Sequence, residues 1–219
     1  MTIDVWRIDL EGPAAAFDAA CLDAEELRRL EAYRPPAVRR RFGRSHAAVR
    51  YILASHLGRR PAELVFSVGE HGKPWLTGES LRFNLAHSES VALLAVSDSV
   101  EVGVDVERVR ELRNLEGMAR TAFHDREVEL FGALVEPERL NGFFECWVRR
   151  EAYVKGLGLG LGAAKTVEPA WLPGAEAVEP RPGWMVRGLA VEPPYKAALA
   201  AASADFEVRL RPWPVDERD

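Results

Sequence analysis

The chain has 219 residues, a length that suits one large domain or two domains of about 100 residues each. Its 47% hydrophobic and 29% charged residues are ordinary for a globular protein. A net charge of −5 argues against nucleic-acid binding, and no apolar run approaches the roughly 18 residues of a membrane span. Only Cys21 and Cys146 are present. We therefore expect reduced thiols, no signal peptide at the N-terminus and a cytoplasmic location.

The charge is unevenly distributed along the chain. Ten arginines and a single acidic residue, Glu31, fall between Arg28 and Arg60. A basic segment in an acidic protein favours an anionic ligand or an acidic partner, but a solvated helix face explains it equally well.

Hydrophobic periodicity and capping residues predict an alternation of helices and strands. Asp23 is a candidate N-cap for the first helix, Pro35 and Pro36 end it, and Gly58 ends the second. In chain order we predict a strand at 5–10, helices at 22–33 and 37–56, strands at 64–68, 82–85 and 91–96, a strand of alternating valines from 100, helices at 125–134 and 140–157, a mostly irregular segment at 169–194, strands at 195–201 and 206–210, and a polar tail.

The strand from Val100 carries the most informative pattern. Valines at 100, 102, 104 and 106 alternate with Glu101, Gly103, Asp105 and Glu107, so one face is predicted to be core and the other to hold carboxylates around a glycine. Neighbouring carboxylates stay ionised only when a cation or solvent compensates them, and Mg²⁺ prefers such oxygen ligands. Gly103 is predicted to leave room for a ligand. The alternative is an edge strand with a solvated polar face.

A second acidic residue of interest lies on the helix predicted over 140–157. Trp147, Glu151 and Lys155 are spaced by four residues and share one stripe of that helix. Glu151 and Lys155 are either an ordinary surface ion pair or, since the helix is largely apolar, buried charges that need partners. A cation beside Asp105 and Glu107 would serve Glu151, and a substrate phosphate would serve Lys155.

Two further segments have anion-binding character. The turn at 71–74 presents Lys73, and the segment at 83–88 places His87 after a strand, although an ordinary hydrogen-bonded histidine is the competing interpretation. The segments 50–58 and 150–158 also share Arg, Leu-Gly and the order of flanking elements at an offset of 100, which favours a duplicated α+β unit.

Five sequence blocks together resemble a known family. GKP at 72–74, FNLAHS at 83–88, GVDVE at 103–107, FHDRE at 123–127 and WVRREAYVKGLG at 147–158 are similar in order and spacing to the signature blocks of the surfactin-type 4′-phosphopantetheinyl transferases. The similarity extends over roughly residues 22–162, and the order of all five blocks is specific where any single block is weak.

The resemblance implies an α+β fold of two similar halves, 1–101 and 102–219, in a pseudo-twofold arrangement with coenzyme A in the cleft between them. It implies transfer of the 4′-phosphopantetheine group of coenzyme A to a serine of an apo carrier protein. The implied Mg²⁺ ligands are Asp105, Glu107 and Glu151, the last also or instead the general base. Lys155 would face the reacting phosphate. The implied coenzyme A contacts are Lys73, Pro74, Ala86, His87 and Arg41.

Two positions depart from the family pattern. Arg150 stands where the family often has lysine, and Ala86 where it usually has serine. A planar guanidinium does not replace a lysine point charge perfectly, and a phosphate contact through the serine side chain would be lost.

Two other functions use the same residues. A non-catalytic module of this fold would dock carrier proteins, and a Mg²⁺-dependent hydrolase would consume pyrophosphates without a carrier. We expect a monomer, because a duplicated chain closes its own site, and no nucleic-acid or membrane partner. The sequence leaves open whether the carrier serves fatty-acid, polyketide or nonribosomal peptide synthesis.

Overall fold

Two four-stranded sheets pack face to face, and one long helix covers the outer side of each. The computed structural model describes residues 1–11 and 18–213, so the predicted polar tail lies largely outside the described residues. The strands are β1 Thr2–Asp9, β2 Phe66–Val68, β3 Pro74–Leu76, β4 Arg82–Ser88, β5 Val91–Ser97, β6 Val102–Arg108, β7 Ala177–Arg181, β8 Trp184–Leu189, β9 Tyr195–Ala201 and β10 Glu207–Trp213. The helices are α1 Ala24–Ala32, α2 Pro36–Leu57, α3 Leu115–Ala122, α4 Asp125–Gly132 and α5 Glu138–Leu157. The α+β fold class is confirmed.

The two large sheets share a strand order. The first runs β10–β1–β5–β4 and the second β6–β9–β8–β7, so the antiparallel order 1–5–4 recurs as 6–9–8. The last strand, β10, follows β9 in the chain but belongs to the first sheet, where it pairs in parallel with β1. Apolar side chains of both sheets, among them Val5, Leu93, Val104 and Leu199, form one core layer between them. Helices α2 and α5 close the outer faces.

The two long helices end in the same way. Gly58 and Gly158 cap α2 and α5 with φ of 63° and 70°, a left-handed conformation in which glycine has no Cβ to clash. The predicted ends of both helices are confirmed.

Each long helix is also held to a short one by a buried arginine. Arg50 of α2 pairs with Glu26 at 2.6 Å. Glu26 and Asp23 together form the capping box of α1. Arg150 of α5 pairs with Glu127, the capping-box glutamate of α4, at 2.5 Å. Both guanidinium groups are buried, and each finds the charged partner that burial requires.

Several boundaries differ from the prediction. The valine strand begins at Val102 rather than Val100, and the segment expected to be mostly irregular contains the hairpin of β7 and β8. Helix α3 was not predicted, because it is short and its first turn contains Gly117, which has low helix propensity. No helix in the described part of the chain is long and apolar enough to cross a membrane.

Candidate active site

Strand β6 lies between the apolar core and helix α5. Its valines are fully buried between the sheets, as predicted. The opposite face does not leave room for a ligand at Gly103, and that prediction is wrong. A Cβ at Gly103 would lie 2.1 Å from the carbonyl oxygen of Ala152 and 2.2 Å from the amide nitrogen of Gly156. The missing side chain therefore admits the backbone of α5, which brings Glu151 and Lys155 to the acidic face of β6.

Asp105 and Lys155 form the centre of this contact. Lys155 Nζ lies 2.6 Å from Asp105 Oδ1, and Asp105 is 5% exposed. Its other oxygen, Oδ2, is buried without a hydrogen-bond partner among the described residues. Burial raises the pKa of Asp105 to about 7, with Glu151 and Glu107 adding to the rise and Lys155 opposing it. The effect of burial on the pKa of Asp105 therefore outweighs that of the Lys155 charge.

Glu107 and Glu151 complete an acidic cluster around Asp105. Glu107 Oε2 accepts hydrogen bonds from Ser88 Oγ at 2.9 Å and from Arg110 Nη1 at 3.2 Å. Glu151 is 8% exposed, and burial raises its pKa, which the charges of Lys155 and Arg150 lower and that of Glu107 raises. The structure thus brings the three predicted carboxylates within electrostatic reach of one another.

The side chains of the acidic cluster are not arranged in a metal-binding geometry. Within residues 1–11 and 18–213, no three His, Cys, Asp or Glu side chains are placed so that together they could hold a metal ion. Lys155 occupies the position of a counterion on Asp105. The cluster nevertheless fits a cation chemically, since the buried Oδ2 of Asp105 has no partner among the described residues, and burial, with Glu107 close by, raises the pKa of both Asp105 and Glu151.

Lys73 lies at the far end of the contact between β6 and α5. Its ammonium donates to Glu101 Oε2 at 2.7 Å, to the carbonyl of Val102 at 3.1 Å and to that of Gly156 at 2.9 Å. These contacts engage its three protons, so Lys73 ties the turn before β3 to the second sheet. Together with Pro74 it lines a cavity of about 560 Å³. Its role in coenzyme A binding stays a prediction.

His87 and Arg41 line a different cavity of about 410 Å³, between α1, α2 and β4. Loss of solvation in the surrounding protein lowers the pKa of His87, and the positive charge of Lys155 lowers it further. Arg41 Nε lies 2.6 Å from Glu11 Oε1. Four of the predicted coenzyme A contacts therefore divide between two cavities, Lys73 and Pro74 in one and His87 and Arg41 in the other.

The two departures from the family pattern lie away from the cavities. Ala86 is buried in the core between the sheets, on the face of β4 opposite His87, so its side chain lines neither cavity. Its part in coenzyme A binding stays a prediction. Arg150 is buried against Glu127 and the carbonyl of Ala122, so its charge serves the packing of α5.

The basic segment is less open than its composition indicated. Arg50 is fully buried, Arg40 and Arg41 pair with Glu11, Arg59 pairs with Glu79 and Arg60 with Glu63. Much of its charge is therefore compensated within the chain.

Sequence reasoning missed residues that act on the site through others. Ser88 contacts Glu107, Asn84 contacts β6, and Glu127 anchors Arg150 next to Glu151. All three fall in blocks that carried the family resemblance. The signal available was their polarity on otherwise apolar elements, since buried polar groups need hydrogen-bond partners.

We expect Gly103→Ala to disturb this site strongly. A methyl group would meet the backbone of α5, and overpacking of this kind costs about 1–3 kcal/mol of unfolding free energy. Helix α5 must move away from β6 and take Lys155 from Asp105, so any activity of this site should fall together with the melting temperature. Gly132→Ala is the matched control, because a Cβ there meets nothing within 4 Å. Equal activity and melting temperature for the two variants would contradict the packing argument.

Comparison with known proteins shows which family this sequence belongs to. Residues 101–176 match the sequence model of the 4′-phosphopantetheinyl transferase superfamily. The 4′-phosphopantetheinyl transferase HetI of Nostoc sp. is 34% identical over 215 residues, which cover 95% of this chain and 91% of HetI. This chain belongs to the 4′-phosphopantetheinyl transferase family.

Other members of the family align over shorter stretches. The 4′-phosphopantetheinyl transferase AcpT of Salmonella typhimurium is 38% identical over 130 residues, covering 59% of this chain and 65% of AcpT. The 4′-phosphopantetheinyl transferase of Bacillus subtilis is 27% identical over 164 residues, covering 72% of each chain. The region matched by the superfamily begins at Glu101 and ends at Glu176, so it contains β6, α5 and the whole acidic cluster of this transferase.

Proposed function

We propose that this transferase moves the 4′-phosphopantetheine group of coenzyme A to a serine of an apo acyl or peptidyl carrier protein, releasing 3′,5′-ADP. The observation that carries the proposal is the convergence of Asp105, Glu107, Glu151 and Lys155 where β6 meets α5, within the region matched by the superfamily. A buried acidic cluster with one lysine suits the transfer of a phosphoryl-type group.

The reaction forms one bond and breaks one. The serine oxygen attacks the β-phosphorus of coenzyme A, a new oxygen–phosphorus bond forms, and the bond to the 3′,5′-ADP oxygen breaks. The serine proton passes to a carboxylate, because a serine hydroxyl is a weak nucleophile without a base. Glu151 suits this role, since burial raises its pKa and so favours its holding a proton.

Lys155 acts on the phosphates. The Lys155 ammonium is already in the cluster, bonded to Asp105, and needs only to exchange partners to donate to a phosphate oxygen. Lys73, Pro74, His87 and Arg41 would hold the rest of coenzyme A, as the family resemblance implies. Ala86 would contribute only its backbone.

We further propose that Asp105, Glu107 and Glu151 hold Mg²⁺. The partnerless Oδ2 of Asp105 supports this assignment, as do the pKa values of Asp105 and Glu151, which burial and the nearby charge of Glu107 raise. Bound Mg²⁺ would neutralise charge on the pyrophosphate oxygens. Whether Glu151 binds the ion, acts as base or does both is open in this proposal.

We propose the division of the chain into halves 1–101 and 102–219. The recurrence of the strand order 1–5–4 as 6–9–8 and the paired Arg50 and Arg150 contacts support it. The parallel pairing of β10 with β1 then joins the second half back to the first. A monomer with the site between its halves is consistent with this proposal.

The decisive experiment weighs a carrier protein. The purified chain is incubated with coenzyme A, Mg²⁺ and an apo carrier, and the carrier is analysed by mass spectrometry. A gain of about 340 Da, one phosphopantetheine arm, is expected from the transfer chemistry. A carrier whose serine is replaced by alanine is the control. Coenzyme A cleavage with no gain in carrier mass would instead identify a hydrolase, and carrier binding without either reaction a docking module. A panel of carriers identifies the substrate class.

Removal of divalent cations is expected to abolish transfer. Activity should vanish in EDTA and return when Mg²⁺ is added in excess, because three close carboxylates repel the pyrophosphate unless a cation compensates them. The same assay measures the rate before and after chelation. Unchanged rates in EDTA would contradict the metal assignment and leave the transfer proposal standing.

A further inference from the structure

The outer edge of β6 is bordered by side chains of β4. Strand β6 is the first strand of its sheet, so it has a sheet neighbour, β9, on only one side. On the other side the amide of Val104 donates to Asn84 Oδ1 at 2.9 Å, and the amide of Arg108 donates to Ser88 Oγ at 3.1 Å. Asn84 and Ser88 are four residues apart on one face of β4, and both are buried. These side chains take the place of a neighbouring strand along this edge of β6. We refer to this contact between β4 and β6 as the seam between the sheets.

Ser88 makes a second contact that Asn84 does not. Its hydroxyl accepts from the amide of Arg108, so its single proton is free to donate, and it lies 2.9 Å from Glu107 Oε2. One hydroxyl is thus fixed as acceptor from the backbone of β6 and as donor to the carboxylate one residue earlier. Both of its directional contacts end on the acidic strand.

Arg110 competes with Ser88 for the Glu107 carboxylate. Arg110 Nη1 also lies 3.2 Å from Glu107 Oε2, and the Arg110 side chain is half exposed. Without the serine hydroxyl, this arginine is the cation left on Oε2, and it lies outside the buried cluster. Ser88 therefore opposes rotation of the Glu107 carboxylate toward solvent.

We propose that Ser88 is a positioning residue that holds the Glu107 carboxylate in the orientation in which it joins Asp105 and Glu151. This inference rests on the proposed function in assigning Glu107 as a ligand of the divalent cation. Groups that orient a metal ligand through a hydrogen bond typically contribute 10- to 100-fold to metal affinity or activity. Ser88 does so from the first sheet, so it also joins the two halves at the site.

The test compares four variants of the full chain. Ser88→Ala removes the hydroxyl, Ser88→Thr retains it, and Asn84→Ala removes a seam contact that touches no carboxylate. Ser90→Ala is the matched control, because the Ser90 hydroxyl lies close by in the chain but contacts Tyr195 at 3.0 Å. Affinity for Mn²⁺ alone is measured by electron paramagnetic resonance of the free ion, alongside melting temperature and the kcat and KM of transfer.

Ser88→Ala is expected to weaken Mn²⁺ binding about tenfold and to lower kcat similarly, with a smaller change in KM for coenzyme A. Ser88→Thr should restore both values toward wild type, and Ser90→Ala should leave them unchanged. Asn84→Ala should lower the melting temperature at least as much as Ser88→Ala but affect Mn²⁺ affinity less.

Three results would overturn the inference: Mn²⁺ affinity unchanged in Ser88→Ala, no Mn²⁺ binding by the wild-type chain, or losses in Ser88→Ala and Asn84→Ala that simply follow their melting temperatures. A wild-type chain that binds Mn²⁺ but modifies no carrier would defeat the proposed function instead, and the Mn²⁺ affinities would still decide the role of Ser88.

Discussion

Glu151→Gln is expected to lower the rate of phosphopantetheine transfer by about 10²-fold or more, the loss typical of a metal ligand or a general base. Glutamine has nearly the same shape but neither accepts the serine proton nor carries charge. The Glu151 side chain is buried, as is that of Asp105, and it lies close to the charge of Glu107. Initial rates of carrier mass gain measure the effect.

Glu145→Gln is the matched control for this loss. Glu145 lies on the same helix, but it pairs with Lys196 at 2.7 Å and its side chain is 38% exposed. Its neutralisation should leave the rate near that of the wild type. Near-normal turnover in Glu151→Gln, with the control unchanged, would remove Glu151 from the active site.

Glu127→Gln is expected to destabilise the fold by about 3–5 kcal/mol, the range for breaking a buried ion pair from one side. Glu127 is fully buried and accepts hydrogen bonds from Arg150 at 2.5 Å and from the amides of Ala170 and Trp171 at 2.8 and 3.1 Å. A neutral amide would leave the buried Arg150 guanidinium without the carboxylate to which it is hydrogen-bonded. The melting temperature should fall by about 6–20 °C for a chain of this size.

A surface ion pair provides the comparison. Arg139 lies 2.6 Å from Glu116, whose side chain is 59% exposed, so Glu116→Gln should cost no more than about 1 kcal/mol. The two substitutions are chemically identical and differ in burial. Equal shifts in melting temperature would show that the Glu127–Arg150 pair does not anchor α5, and the account of how Glu151 is presented would then need another anchor.

Local patterns in the sequence predicted most of the helices and strands. Asp23 predicted the start of α1, and Gly58 and Gly158 predicted the ends of α2 and α5, because helix caps depend on a few adjacent residues. The alternating valines predicted which face of β6 is buried, because strand side chains alternate between faces. The five blocks in order predicted the family, which the comparisons confirmed.

The sequence by itself determined which residues carry charge and on which face of their own element they lie. Only the tertiary structure decided what they meet: Gly103 meets the backbone of α5, Lys155 meets Asp105, and Ser88 meets Glu107. Residues 105 and 155 are separated by fifty positions, so no local periodicity relates them. Caps and strand faces follow from short-range backbone geometry, whereas partners across a seam depend on how whole sheets and helices pack.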